Sequence, residues 1–268
     1  MTLTEEPKPT YEEYCKLLLE GCKEKLFLSE SYYETYMNGL TSEIKANIFN
    51  DILRSLSALQ DVYVQPDMLF LTDPSSATLN HKPLKSILNK IYRLNCIRPR
   101  RKGDVLPTLE NFHSVLDDVF RTRFICKYMD GPEFICERLK KTCESLGVEC
   151  NYRDITTGLG YHAWHFYYKQ PIDDFAGAGP AQVFVELQFT TQLAEVIGSL
   201  THIQYEAVRL GDKPSPGWRW KVDSNEFRPY YISHGLHLLE GVILEFRNSV
   251  LPLKKAALQE DKQPGEEN

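Results

Sequence analysis

The segment Val183-Phe184-Val185-Glu186-Leu187-Gln188-Phe189 constrains the fold of this chain more than any other. Successive side chains of a strand point to opposite faces, so Val183, Val185, Leu187 and Phe189 share one face while Glu186, Gln188 and Thr190 share the other. A carboxylate at the centre of so apolar a strand needs a partner or a metal, because burying an uncompensated charge is costly. Glu186 is therefore a candidate ligand or general base. The same pattern also reads as a half-exposed strand on which Glu186 meets solvent or an arginine.

Strand character recurs at 119–128, 148–153 and 161–169, with a Gly- and Pro-containing turn at 173–180 before the strand at 182–190. The run 61–71 also has strand character, broken by Pro66, and Asp73-Pro74-Ser75-Ser76 marks a turn after it. Apolar residues at helical spacing over 11–59, among them Leu17, Leu18, Cys22, Ile44, Ile48, Ile52 and Leu56, predict two or three amphipathic helices. Further helices are expected at 84–94, where Lys85, Lys90 and Arg93 flank an Ile87, Ile91, Leu94 stripe, and near 109–116, 132–146, 192–208 and 227–250.

This order predicts an α+β protein: a mixed β-sheet core of nucleotidyltransferase type flanked by helices. The expected units are an N-terminal helical extension at 1–60, the main domain at 61–210, a C-terminal helical extension at 211–253 and a disordered tail at 254–268. Neither G-x-G-x-x-G nor G-x-x-x-x-G-K occurs, which excludes Rossmann and P-loop phosphate sites.

With 268 residues, 42% of them hydrophobic, the chain can bury one sizeable core. Its seven cysteines are odd in number and lack a C-x-x-C pair, so neither a disulfide framework nor a zinc site is indicated. No apolar run approaches the ~20 residues that span a bilayer. The acidic start MTLTEEPKPT lacks the pattern of a secretory signal, so a cytoplasmic protein without a membrane partner is expected. A net charge of -6 argues against a surface that coats nucleic acid. The run Arg98-Pro99-Arg100-Arg101-Lys102 reads either as a local patch for an RNA backbone or as a solvated loop.

A second carboxylate is available at Asp117-Asp118, where the strand at 119–128 begins, and strand ends are where a sheet presents residues to a ligand. Two carboxylates on neighbouring strands suit Mg²⁺, which binds through one or two of them while substrate phosphates fill other positions. The pair also reads as a capping residue and a surface acid. Tyr161, His165 and Lys169 share a strand face, an arrangement that suits a base to stack on and phosphates to hold, or else an aromatic surface packed under a helix.

Four segments together resemble the synthetase domain of RelA/SpoT-like nucleotidyltransferases, over residues 82–206. The run from Asp118 to Ile125 resembles the aspartate strand of that superfamily. Glu186-Leu187-Gln188-Phe189-Thr190-Thr191, followed by Ala194-Glu195, His202 and Tyr205-Glu206, resembles its E-x-Q-x-x-T strand and the helix after it. Gly160-Tyr161 with His165 is similar to its acceptor loop, and HKPLKSILNKIYR is similar to its phosphate-gripping helix.

The resemblance implies a pyrophosphokinase that moves diphosphate from ATP to a ribose 3′-hydroxyl, with Asp118 and Glu186 on Mg²⁺ and Glu186 as base. It implies ATP contacts from Lys82, Ser86, Lys90, Arg93, Arg123 and His165, and acceptor contacts from Tyr161, Gln188 and Lys169. The acceptor is a guanine or adenine nucleotide, as in alarmone synthesis, or the 3′ end of tRNA, as in toxin-type synthetases that pair with an antitoxin protein. In the tRNA case Arg98, Arg100, Arg101 and Lys102 are the candidate contacts. A homo-oligomer is compatible with either, and so is a binding module that has kept the fold and lost catalysis. The chain departs from the superfamily pattern at Asn80, Leu159 and Thr190, which stand where arginine, asparagine and arginine are usual.

Overall fold

The computed structural model describes residues 9–20, 27, 29–63, 69–98, 103–156, 160–209 and 216–260, with side chains described up to 200 and from 216 to 252 in the last two stretches. Three helices come first: α1 (Tyr11–Glu20), α2 (Glu30–Ala46) and α3 (Ile48–Val62). Ser29 starts α2 by accepting the amide of Tyr32 at 3.1 Å, which satisfies one of the orphan donors of the first turn. Tyr33, Met37, Leu40 and Ile44 of α2 and Phe49, Ile52 and Leu56 of α3 are buried in the same core as the sheet. Burial of each such side chain stabilises the fold by about 1.5–3 kcal/mol.

Among the described residues five strands follow with helices between them: β1 (Asn80–His81), α4 (Leu84–Tyr92), α5 (Phe112–Val115), β2 (Phe120–Cys126), α6 (Gly131–Ser145), β3 (Cys150–Thr156), β4 (His162–Ile172) and β5 (Ala181–Thr191). The sheet order is β1-β2-β5-β4-β3. β2 and β5 are parallel, and the other neighbours are antiparallel. The mixed sheet expected from the sequence is therefore present. α6 ends as its sequence predicts: Gly147 adopts φ 66°, and the amide of Val148 returns to the Cys143 carbonyl at 2.9 Å.

The alternation along β5 sorts the two faces. Val183, Val185, Leu187 and Phe189 are fully buried and meet Phe120 and Phe124 of β2, Phe166 and Tyr168 of β4, and the apolar side of α6. The opposite face carries two polar rows fixed by strand register. One runs Tyr167, Glu186, Arg121, Asn80; the next runs Arg153, His165, Gln188, Arg123.

Helices α7 (Gln192–Arg209) and α8 (Phe227–Glu260) complete the chain and pack on each other. No helix among the described residues is long and apolar enough to cross a membrane. The described cysteines are free thiols, with Cys126, Cys136 and Cys143 buried; Cys22 lies outside the described residues.

Three expectations need correction. None of the described residues of the run 61–71 belongs to a strand: α3 continues to Val62, Tyr63 caps it on the Leu59 carbonyl, and Phe70 makes an isolated bridge to Cys126, while residues 64–68 lie outside the described residues. The amphipathic pattern of α3 outweighs the local β-propensity of Val62 and Tyr63 there. The C-terminal helix does not stop at 250 but runs to Glu260, with Leu251 buried; residues 261–268 lie outside the described residues. Asp118 is not on the strand itself but in the turn before it, since β2 begins at Phe120.

Candidate active site

The turn at 117–119 aims both aspartates at Lys90 of α4, and Asp118 also at Lys82, two residues before that helix. Lys82 is anchored by its amide on the Val119 carbonyl at 2.8 Å, and its ammonium bonds Asp118. From the last turn of α4, Lys90 reaches Asp117 at 2.9 Å and Asp118 at 2.6 Å. Burial by itself would raise the pKa of Asp118, but Lys90 and Lys82 outweigh it and hold the carboxylate far below its usual range. Burial pushes Lys82 down to about 8, against the pull of Asp118 and with repulsion from Lys90. Lys90 goes the other way, because two aspartates outweigh its own burial.

Glu186 is 3% exposed on the polar face of β5. Its Oε1 lies 2.6 Å from His165 Nδ1, and its Oε2 accepts from Gln188 Nε2 at 3.1 Å. The other imidazole nitrogen of His165 meets the Tyr161 hydroxyl at 3.0 Å. Tyr161, half-buried, stands just before β4 and so at the mouth of this row.

A continuous run of contacts joins the two carboxylate groups. Asp117 bonds Arg153 of β3 at 3.0 Å, and Arg153 bonds the Tyr167 hydroxyl at 3.1 Å. Tyr167 in turn stands 3.2 Å from His165 Nδ1. Burial, then the charges of Glu186 and Asp117, raise the pKa of Tyr167, so its phenol stays protonated. The sequence reading assigned no role to Arg153, Tyr167 or Arg121. The same two-residue period that singled out His165 also places Tyr167 beside it, and Arg121 follows from the parallel register with Glu186.

Other expected site residues sit less centrally. Gln188 is buried and accepts from Arg123 Nε at 3.0 Å, while Arg123 also pairs with Glu195 of α7. Ser86 is exposed near the start of α4, and Arg93 bonds Asn89 at 3.0 Å where the helix widens into the π-helical turn Arg93–Ile97. Lys169 is not brought to Tyr161: it lies eight strand residues away, roughly 26 Å along β4, and pairs with Glu149 at 2.8 Å. Arg98 is exposed, and Arg100, Arg101, Lys102 and Leu159 lie outside the described residues. Of the departures from the superfamily pattern, Asn80 pairs with Arg121 across β1 and β2, and Thr190 donates its hydroxyl to the His162 carbonyl at 3.0 Å.

Among the described residues, no three His, Cys, Asp or Glu side chains converge as a metal site. Carboxylate oxygens on Asp118 and Glu186 nonetheless fit the chemistry of Mg²⁺, which takes few protein ligands when phosphates supply the rest.

No protein-family model matches the chain, and no curated protein is significantly similar to it. Solved structures do match. The small alarmone synthetase 1 from Bacillus subtilis superposes with a TM-score of 0.55 at 18% identity, over 83% of this chain and 98% of that one. A GTP pyrophosphokinase family protein from Streptococcus pneumoniae gives 0.53 at 17% identity, over 82% and 95%. The small alarmone synthetase 2 from Bacillus subtilis gives 0.51 at 15% identity, over 80% and 99%. Synthetase 1 has also been solved with its product pppGpp and with AMPCPP. The chain has the RelA/SpoT-like fold of the small alarmone synthetases.

Proposed function

We propose that this protein is a cytoplasmic, ATP-dependent pyrophosphokinase that transfers diphosphate to the ribose 3′-hydroxyl of a purine nucleotide. The observation that carries the reading is the joined polar face. A buried carboxylate, Glu186, is backed by His165 and Tyr161, and contacts through Tyr167 and Arg153 connect it to the Asp117, Asp118, Lys82 and Lys90 cage. Diphosphate transfer needs a base for one hydroxyl proton, cations for several phosphate oxygens and in-line placement. Both kinds of group are present on one surface.

In this reading the 3′-oxygen of the acceptor bonds to the β-phosphorus of ATP, the bond from that phosphorus to the oxygen joining α and β breaks, and AMP leaves with that oxygen. Glu186 takes the hydroxyl proton, and His165 holds the carboxylate in place. Lys82 and Lys90 meet phosphate charge. Tyr161 offers its ring to the acceptor base. Asp118 and Glu186 would hold Mg²⁺, which when bound neutralises phosphate oxygens.

The test is to incubate the protein and Mg²⁺ with ATP labelled in its terminal phosphate and, separately, GDP, GTP, AMP, ATP and bulk tRNA. Label in a free purine nucleotide, with AMP released, is the expected result. Label in tRNA alone would replace the acceptor with a tRNA 3′ end, and nucleotide binding without AMP release would make the protein a binding module.

A further inference from the structure

Helix α8 reaches back to the segment that carries Tyr161. Ser233, in the second turn of α8, is 3% exposed, and its hydroxyl donates to the carbonyl of Gly160. Gly160 has φ 85°, and a Cβ placed on it would stand 2.3 Å from the Ser233 Cβ and 2.4 Å from its Oγ. Only glycine satisfies both the left-handed backbone and this close approach.

The same helix grips the chain again one residue past Tyr161. His162 stacks on His237 with ring centroids 4.0 Å apart and planes 3° apart, and His234 meets it edge-on at 5.4 Å. Burial, then the two neighbouring imidazoles, push the pKa of His162 down to about 4, so the stack carries no charge on that ring at neutral pH. Tyr161 is thus bracketed by two attachments to one helix. The far part of α8 is fixed independently, where Arg247 bonds Asp130 at 2.6 Å and the Tyr63 hydroxyl at 2.7 Å.

We infer that α8 is a positioning strap for Tyr161, and that Ser233 sets the affinity for the acceptor nucleotide without touching it. The inference rests on the function proposed above, in which the Tyr161 ring receives the acceptor base. Ser233 contacts the backbone next to Tyr161, whereas Lys82, Lys90, Asp117 and Asp118 bond one another at the other end of the polar face. Loss of the strap should therefore act on one substrate only.

The experiment compares full-length wild type, Ser233→Ala, Gly160→Ala, Ser233→Gly and the double variant Gly160→Ala with Ser233→Gly. It reads KM for the acceptor, KM for ATP, and amide hydrogen exchange over residues 160–165. Ser233→Ala is expected to raise the acceptor KM about fivefold or more, the scale of one lost hydrogen bond, with the ATP KM within about twofold and faster exchange at 160–165. Gly160→Ala should do more harm alone than in the Ser233→Gly background, where the nearest remaining Ser233 atom, its Cα, lies at an ordinary 3.6 Å.

Unchanged exchange and acceptor KM in Ser233→Ala, equal rises in both KM values, or the same Gly160→Ala effect in both backgrounds would each overturn the strap. Absence of transfer by the wild type would instead remove the proposed function. Exchange in the single and double variants would then still decide whether α8 positions this segment.

Discussion

Nδ1 of His165 lies 2.6 Å from Oε1 of Glu186, both side chains being buried on the polar face of the sheet. Glu186→Gln keeps the shape and the contact to Gln188 but deletes the charge. Transfer activity is expected to fall by at least about 10²-fold, the scale of a lost general base, with an unchanged melting curve. Activity within a few-fold of wild type would make this glutamate merely structural.

Lys90 is shared by two aspartates, and Asp118 is mostly buried. Lys90→Met leaves that carboxylate with Lys82 alone. Breaking a buried pair from one side costs about 3–5 kcal/mol, and the surviving lysine keeps the expected loss near the lower end. Urea unfolding measures it, and a change under about 1 kcal/mol would show that the cage is more hydrated than its geometry indicates.

Arg247 donates to Asp130 from both terminal nitrogens and to the Tyr63 hydroxyl from one of them, and its guanidinium sits 4.6 Å from the Tyr128 ring centre. A lysine cannot reproduce a planar fork. Arg247→Lys is expected to lower stability by roughly 1–3 kcal/mol, as for a hydrogen bond to a charged group plus lost ring contact. Lys16→Ala, which removes the exposed pair with Glu20 at 3.8 Å, should cost no more than ~0.5 kcal/mol. Equal effects of the two substitutions would refute the anchoring role of Arg247.

His113 is 8% exposed, stacks on Phe175 at 3.8 Å, and has a buried Nδ1 without a hydrogen-bond partner among the described residues. Burial pushes its pKa down to about 4. Between about 6.5 and 4 the unfolded chain binds a proton that the folded chain refuses, so stability falls as pH falls through that window. His162 acts in the same sense. His113→Phe should flatten this limb of the stability profile above pH 4, as read by melting temperature, and an unaltered slope would place the proton uptake elsewhere.

The local patterns of this chain were legible without its structure. The two-residue period of β5 determined which face Glu186 and Gln188 occupy, the period of β4 put Tyr161 and His165 on one face, and the end of α6 follows from Gly147. Such patterns depend on neighbours a few residues apart, and backbone geometry repeats them wherever a strand or helix forms. The run at 61–71 misled because its β-propensity is also local, while the helix that absorbs its first residues is held by distant packing, with Tyr63 bonding Asp130 at 2.6 Å.

What joins the site was decided only by the tertiary structure. Asp117 meets Arg153, Lys90 meets Asp118, and Ser233 meets Gly160 across 36, 28 and 73 residues. Each contact exists because the order β1-β2-β5-β4-β3, the turn before β2 and the return of α8 bring remote segments to one face. Ionic and hydrogen-bond contacts act over a few ångströms and carry no period along the chain. A sequence displays the groups that make such contacts, and the packing of the whole chain chooses which of them meet.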